Sequence, residues 1–366
     1  MIKKQYFSIA LFLTVILCLI AGCNQNAIEP KEPSAADHQT INIERERQIT
    51  DMAGRTVTIP PEVKKGLGTE ARASYMLYTM DPDTMTGINY EFNEREKAYI
   101  LPQYHNLPVF GQGGSFNLEA VVAAAPEVLI IYGPLKDAAI SDTEAIQQQT
   151  GIPCIMMGDA LAQIPAAYRL LGEVFGREER CEILAQYSER ALGFAAAINI
   201  PEEKRKTVYF GNGLDNLETA PKGSANAELL ELVQAVNVAA LEGEITSRID
   251  ISAEQVLGWN PEVILLNGEP TKNVSPADAV KNFLSDSRYR NVEAVKNGKV
   301  YAIPKYPYSW FDRPPGPNRL IGIYWLTSLL YPDEYTIDIK SEARDFYSLF
   351  YHIELSDNQL ADLLGY

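Results

Sequence analysis

Arg72, Lys222, Arg313 and Arg319 are basic residues in a chain of 366 residues whose formal net charge is −16. Local positive charge in a partly desolvated cleft selects anions, whatever the overall charge. Arg313 belongs to the most unusual segment of the chain, Tyr306-Pro307-Tyr308-Ser309-Trp310-Phe311-Asp312-Arg313-Pro314-Pro315-Gly316-Pro317. Its prolines hold it out of helix. Its rings and guanidinium suit a flat or anionic ligand through stacking, cation–π contact and bidentate hydrogen bonds. The competing role of such rings is core packing; Trp310 and Arg313 are the pair expected to meet ligand, Arg being seldom buried without a partner. Histidine is scarce, with only His38, His105 and His352, so a bare zinc or manganese site finds no convincing ligand set. No nucleophile–base pair or cysteine cluster occurs at chemical spacing. The residues speak for binding rather than catalysis.

The elements that must hold these residues are announced by an internal repeat. Asn117 to Gly133 aligns without gaps on Ser252 to Gly268, an offset of about 135 residues and far longer than a solenoid period. Each copy reads as a short helix, a Pro-Glu turn and a buried apolar strand ending at Gly. Such strands suit the middle of a parallel sheet covered on both faces. Two units of this kind imply an α/β chain of two Rossmann-like lobes with a ligand cleft between them. Ligands in open α/β sheets sit at the carboxyl ends of strands. From the first lobe this places Arg72, Tyr75, Ser115, Phe116 and Tyr132 at the cleft; from the second, Asn212, Lys222, Asn267, Trp310 and Arg313. Gly113-Gly114-Ser115 has no following Gly-Lys-Ser/Thr, so it reads as a strand–helix turn rather than a phosphate loop.

The compartment is set by the first residues. Lys3 and Lys4 precede an apolar run from Tyr6 to Leu19, and Ile20-Ala21-Gly22 leads to Cys23. This is the layout of a secretory signal, with Cys23 at the place where bacterial lipoproteins are acylated. Residues 1–22 are then the signal and 23–48 a Pro-, Ala- and Glu-rich tether. The remainder divides into a first lobe (49–163), a long rigid helix joining the lobes (164–200) and a second lobe (201–366). The mature chain carries about −18, which argues against nucleic acid. Cys154 and Cys181 read as buried free thiols.

Several motifs resemble the ABC-transporter solute-binding proteins that capture metal chelates. Asp51-Met52-Ala53-Gly54-Arg55-Thr56-Val57-Thr58-Ile59-Pro60 is similar to that family's opening hairpin, and Asn117-Leu118-Glu119 through Ile130 to its helix–strand signature. Leu229 to Ala239 resembles a family helix end, with Gln234-Ala235 where the family usually has Gly, and Asn297-Gly298-Lys299-Val300-Tyr301 a late strand start. The resemblance implies a monomeric, membrane-anchored extracytoplasmic receptor with small closure, no enzymatic activity and no cofactor of its own. It delivers a ferric siderophore, haem or corrinoid to a permease dimer with its ATPase. Haem capture by a tyrosine such as Tyr132 stays open, and no residue is assigned as a metal ligand. The resemblance also implies that Glu119 and Glu254, equivalent in the repeat, dock onto the two permease subunits. A metal oxyanion such as molybdate or tungstate is the alternative ligand, needing only Arg, Ser and backbone donors. A ligand sensor or a chelatase-like enzyme are rival readings from other classes.

Overall fold

The computed structural model describes residues 46–112, 115–240, 247–269, 272–313 and 316–365. The expected signal, Cys23 and most of the tether lie outside the described residues, as do Gly113, Gly114, Pro314 and Pro315.

The chain opens with an antiparallel hairpin, β1 (Arg47–Thr50) and β2 (Thr56–Ile59). The Asp and Arg of its turn are structural. Asp51 Oδ1 accepts from the Ala53 and Arg55 amides, both at 3.0 Å, and its Oδ2 takes the Arg55 side chain at 2.6 Å and the Met156 amide at 3.1 Å. Arg55 Nη2 also donates to the Cys154 carbonyl at 2.6 Å. One ion pair therefore closes the turn and ties it to the first lobe. Gly54, at φ +78°, supplies the left-handed residue this turn requires.

The first lobe follows as β3 (Gly66–Gly68), α1 (Ala71–Met80), α2 (Glu94–Lys97), the short pair β4 (Gly111–Gln112) and β5 (Ser115–Phe116), α3 (Leu118–Ala124), β6 (Val128–Gly133), α4 (Asp137–Thr150) and β7 (Cys154–Gly158). Strands β3, β6 and β7 form a parallel sheet with β6 central. Its apolar run is buried along nearly its whole length, as a strand covered on both faces must be.

Two helices come next, α5 (Ile164–Phe175) and α6 (Glu178–Ala197). The single long connecting helix expected over 164–200 is thus corrected. Gly176 adopts φ +63° and caps α5, and α6 folds back along it. Gly172 on α5 leaves no room for a Cβ, which would stand 2.9 Å from Cys181 Cβ on α6. Arg169 bridges to Glu182 and Glu189 on α6 at 2.8 and 2.6 Å. Only α6, about 30 Å long at 1.5 Å per residue, leads on to the second lobe.

The second lobe contains β8 (Thr207–Gly211), β9 (Glu218–Thr219), α7 (Glu228–Leu232), β10 (Val236–Asn237), β11 (Ile249–Asp250), α8 (Ala253–Trp259), β12 (Val263–Leu266), α9 (Pro276–Ser285), α10 (Glu293–Lys296) and β13 (Val300–Ala302). Its parallel sheet runs β10-β8-β12-β13. The repeated unit is therefore α3–β6 in one lobe and α8–β12 in the other, and each copy supplies an inner strand. Its duplicated Pro-Glu turn has a duplicated job. Glu127 Oε2 accepts from the Lys64 and Lys65 amides, at 2.5 and 2.8 Å, just before β3. Glu262 Oε2 accepts from the Thr207 amide at 2.9 Å, where β8 begins. In both lobes the carboxylate fixes the start of the neighbouring strand.

Gln234, at the departure from the family pattern, adopts φ +59°, where glycine is the usual occupant. Its side chain compensates: Oε1 accepts from the Ile200 amide at 2.9 Å and Nε2 donates to the Ile198 carbonyl at 2.5 Å. The turn after α7 is thereby fastened to the chain leaving α6.

The last helices are α11 (Asn318–Leu330), α12 (Ile339–Phe346) and α13 (Asp357–Leu364). The chain here returns across first-lobe residues. Tyr78 donates to the Tyr351 carbonyl at 3.2 Å, Tyr99 to the Gln359 carbonyl at 3.1 Å, and Gln359 Nε2 to the Ala98 carbonyl at 2.7 Å. A tyrosine-rich seam lies beneath. The Tyr75 ring stacks on Tyr351 with centroids 5.6 Å apart and tilts onto Tyr308 at 4.8 Å.

Candidate functional site

The carboxyl ends of the first-lobe strands gather Arg72, Tyr132 and Asp159. Arg72 lies in the first turn of α1, placed there by Glu70, whose carboxylate caps the helix by accepting from the Ala73 amide at 3.1 Å. The Arg72 guanidinium pairs with Glu70 at 2.9 Å and Asp159 at 3.0 Å, donates to the Tyr132 carbonyl at 3.2 Å and lies 5.4 Å from the centre of the Tyr132 ring. Burial alone would lower its pKa; the two carboxylates outweigh that and hold it firmly protonated. Close backbone approach shapes the same mouth. A Cβ on Gly68, at the end of β3, would stand 2.3 Å from the Ser74 amide nitrogen.

Tyr132 ends β6 almost fully buried, and its hydroxyl has no hydrogen-bond partner. Burial raises the phenol pKa, while the positive charges of Arg319 and Arg72 oppose the rise. Arg319 sits in the first turn of α11, only 1 % exposed. Its Nη1 donates to Glu228 at 2.5 Å and to the Ala225 carbonyl at 3.3 Å, and its Nε is buried without a partner. A phenol with a buried, unpaired hydroxyl thus lies beside the Arg72 guanidinium and within electrostatic reach of Arg319.

On the second lobe, β8 and β12 deliver Asn212 and Asn267 side by side, both fully buried. Asn267 Nδ2 donates to Asn212 Oδ1 at 2.8 Å and to the two Asp312 oxygens at 3.0 and 3.1 Å. Asp312 accepts from Arg248 Nη2 at 2.6 Å. Burial would push its carboxyl up, but Lys305 and Arg248 more than offset this, so it lies below the usual range. Lys305, donating to the Asn267 carbonyl at 3.2 Å, is pushed down to about 8 by burial, with Asp312 opposing. Asn212 Nδ2 and Asn267 Oδ1 remain unpaired, leaving one donor and one acceptor at the strand ends.

Of the other residues expected at the ligand, Tyr75 is buried in the seam, and Phe116 packs against the first-lobe cluster of Leu67, Phe110 and Val121. Ser115 is described by its backbone alone, paired with Gln112. Lys222 and Arg313 are exposed. Trp310 is a core residue. It has no solvent exposure, its indole N–H donates to the Tyr347 hydroxyl at 3.2 Å, and its carbonyl leaves no space for a Cβ at Gly322 of α11. Phe311 and Tyr308 are buried with it, so the aromatic segment offers no large conjugated face at the cleft. Glu119 and Glu254 are both exposed, in the first turns of α3 and α8. Hydrogen bonds from its own amide and from Ser252 hold the Glu254 carboxyl below its ordinary pKa. Arg248, Asp312 and Lys305 escaped the sequence reading; Arg319 carried a signal there as a basic residue beside a cleft loop.

Among the described residues no group of three or more His, Cys, Asp or Glu is placed to hold a metal ion, and no helix is long and apolar enough to cross a membrane. Residues 79–307 match the family model described as periplasmic binding protein. The chain belongs to that family. As a periplasmic binding protein it is the extracytoplasmic solute-binding part of an ABC importer, a transport component and not an enzyme. Among curated proteins it is 27 % identical over 341 residues to the molybdate-binding protein MolA of Haemophilus influenzae, covering 86 % of this chain and 94 % of that protein. A solved ABC-transporter solute-binding protein of Sulfurospirillum deleyianum is 28 % identical, with TM-score 0.77, over 87 % of this chain and 99 % of the other. The H. influenzae MolA structure with bound molybdate superposes with TM-score 0.67 at 23 % identity, over 85 % and 99 % of the two chains, a likeness of fold.

Proposed function

We propose that this periplasmic binding protein captures a tetrahedral metal oxyanion, molybdate or tungstate, and hands it to its permease. The observation that carries the reading is the buried, unpartnered Tyr132 hydroxyl, with the Arg72 guanidinium 5.4 Å from its ring and the unpaired Nε of buried Arg319 as a second donor within electrostatic reach. An oxyanion supplies the acceptors these buried donors lack, and charge-assisted hydrogen bonds in a desolvated cleft are the strong ones. Asn212 Nδ2 adds a further donor from the second lobe. The relative named for molybdate binding supports the same class. An iron chelate, haem or corrinoid, the leading expectation from the aromatic segment, loses its main support with Trp310, Phe311 and Tyr308 in the core. The same reading has Cys23 carry the lipid anchor, the lobes divide near residues 163 and 201, and Glu119 and Glu254 each meet one half of the permease.

Calorimetric titration of the purified protein with sodium molybdate, sodium tungstate, haemin, cyanocobalamin and a panel of ferric siderophores tests the ligand class. Heat from molybdate or tungstate alone is expected. Saturable binding of a chelate with silence from both oxyanions would overturn it.

A further inference from the structure

Two large apolar side chains that remain exposed fall at the same place in the repeated unit. Val122 follows Glu119 by three residues on α3 and is 46 % exposed; Leu257 follows Glu254 by three on α8 and is 39 % exposed. A step of three places side chains on one helix face, about 5–6 Å apart at Cβ. Ala123 and Gly258, next along the same face, are exposed and small. The opposite faces are fixed by Val121 and Val256, both completely buried, so core packing does not account for an apolar residue at 122 or 257. Both helices end on a left-handed residue, Ala125 at φ +48° and Asn260 at φ +43°, followed by a buried proline. Single exposed apolar residues are ordinary. The same carboxylate, apolar and small residues in the same order on both lobes form a pattern.

We propose that each lobe carries a composite docking footprint, Glu119-Val122-Ala123 on one and Glu254-Leu257-Gly258 on the other, each seating on one half of the two-fold permease. The proposal rests on the docking reading of the two glutamates and adds what their partner surface must contain. Each half presents a cation for the carboxylate and, beside it, an apolar contact that Val122 or Leu257 covers. The small third residue lets the partner backbone come close. The two parts divide the work: the carboxylate guides approach and is screened by salt, and the apolar contact holds the complex whatever the salt.

Binding of the full chain to membranes holding the cognate permease is measured at about 0.05 and about 0.5 M NaCl. The pair Val122→Ser with Leu257→Ser is expected to weaken the complex about tenfold or more, equally at both salts. Val122→Thr with Leu257→Gln, which keeps the side-chain volume, should give the same loss with an unchanged thermal midpoint. Glu119→Gln with Glu254→Gln should weaken the complex chiefly at low salt. If the apolar pairs bind as tightly as the parent while the glutamine pair is impaired, the composite footprint is wrong and the docking glutamates stand. If none of the pairs weakens binding, the docking reading falls as well.

Discussion

The Tyr351 hydroxyl donates to Asn318 Oδ1 at 2.6 Å, and it shares that oxygen with the hydroxyl of Tyr75. Asn318 opens α11 and returns a hydrogen bond from Nδ2 to the Tyr308 carbonyl at 2.7 Å. A single buried amide thus joins α1, the loop before α11 and the chain after α12.

Replacing Asn318 with Leu keeps the volume and strands three buried polar groups at once. Each orphan costs about 1–3 kcal/mol, so Asn318→Leu should lower unfolding stability by about 3 kcal/mol or more. Tyr75→Phe, which removes one donor and leaves the acceptor served by Tyr351, should cost about 1 kcal/mol. Urea unfolding followed by circular dichroism measures both. Equal losses from the two variants would mean the amide does not link the seam.

Tyr132→Phe should separate binding from stability. The hydroxyl lies buried without a partner, so deleting it relieves an unmet hydrogen bond and should raise the thermal midpoint of the ligand-free protein slightly. The same deletion removes a donor to the oxyanion and should weaken molybdate affinity about tenfold. A variant that binds molybdate as the parent does would place the anion elsewhere.

Lys305 gives the fold a particular response to alkali. Its ammonium is pushed down to about 8, against an ordinary 10.5, so between those values the unfolded chain holds a proton that the folded chain has released. Stability from this residue therefore rises with pH across that window, and its burial penalty is fully present below pH 8. Lys305→Met should flatten the rise in unfolding free energy between about pH 8 and 10 relative to the parent. Parallel slopes for the two proteins would remove Lys305 as the cause.

Parts of this were open to reading from sequence because they are local. The repeated helix–strand unit has a period and a Pro-Glu turn, and both central strands appear where their apolar runs lie. The helical spacing over 164–200 did not separate α5 from α6, because the left-handed glycine at 176 that ends α5 does not say that the next helix doubles back on it. The tyrosine seam left no trace, since Tyr75 and Asn318 stand 243 residues apart and such pairings have no spacing. Tyr306 to Arg313 misled for a chemical reason. Stacking on a ligand and packing in a core call for the same rings, and only burial separates them. Arg72 and Tyr132 could be assigned to strand ends because strand ends are legible; the pairing of Asp312 could not, because its partners Arg248 and Asn267 come from distant stretches.

Gln234 narrows the paths along which this chain can drift. A change to glycine would relax the left-handed backbone, a gain of about 1 kcal/mol. It would also strip the Ile200 amide and the Ile198 carbonyl of the partners that fasten the exit from α6. Descendants that take up glycine here must first acquire another way to satisfy those two groups. A glycine at 234 is therefore contingent on changes near residues 198–200, and substitutions there and at 234 should appear together among chains that share this fold.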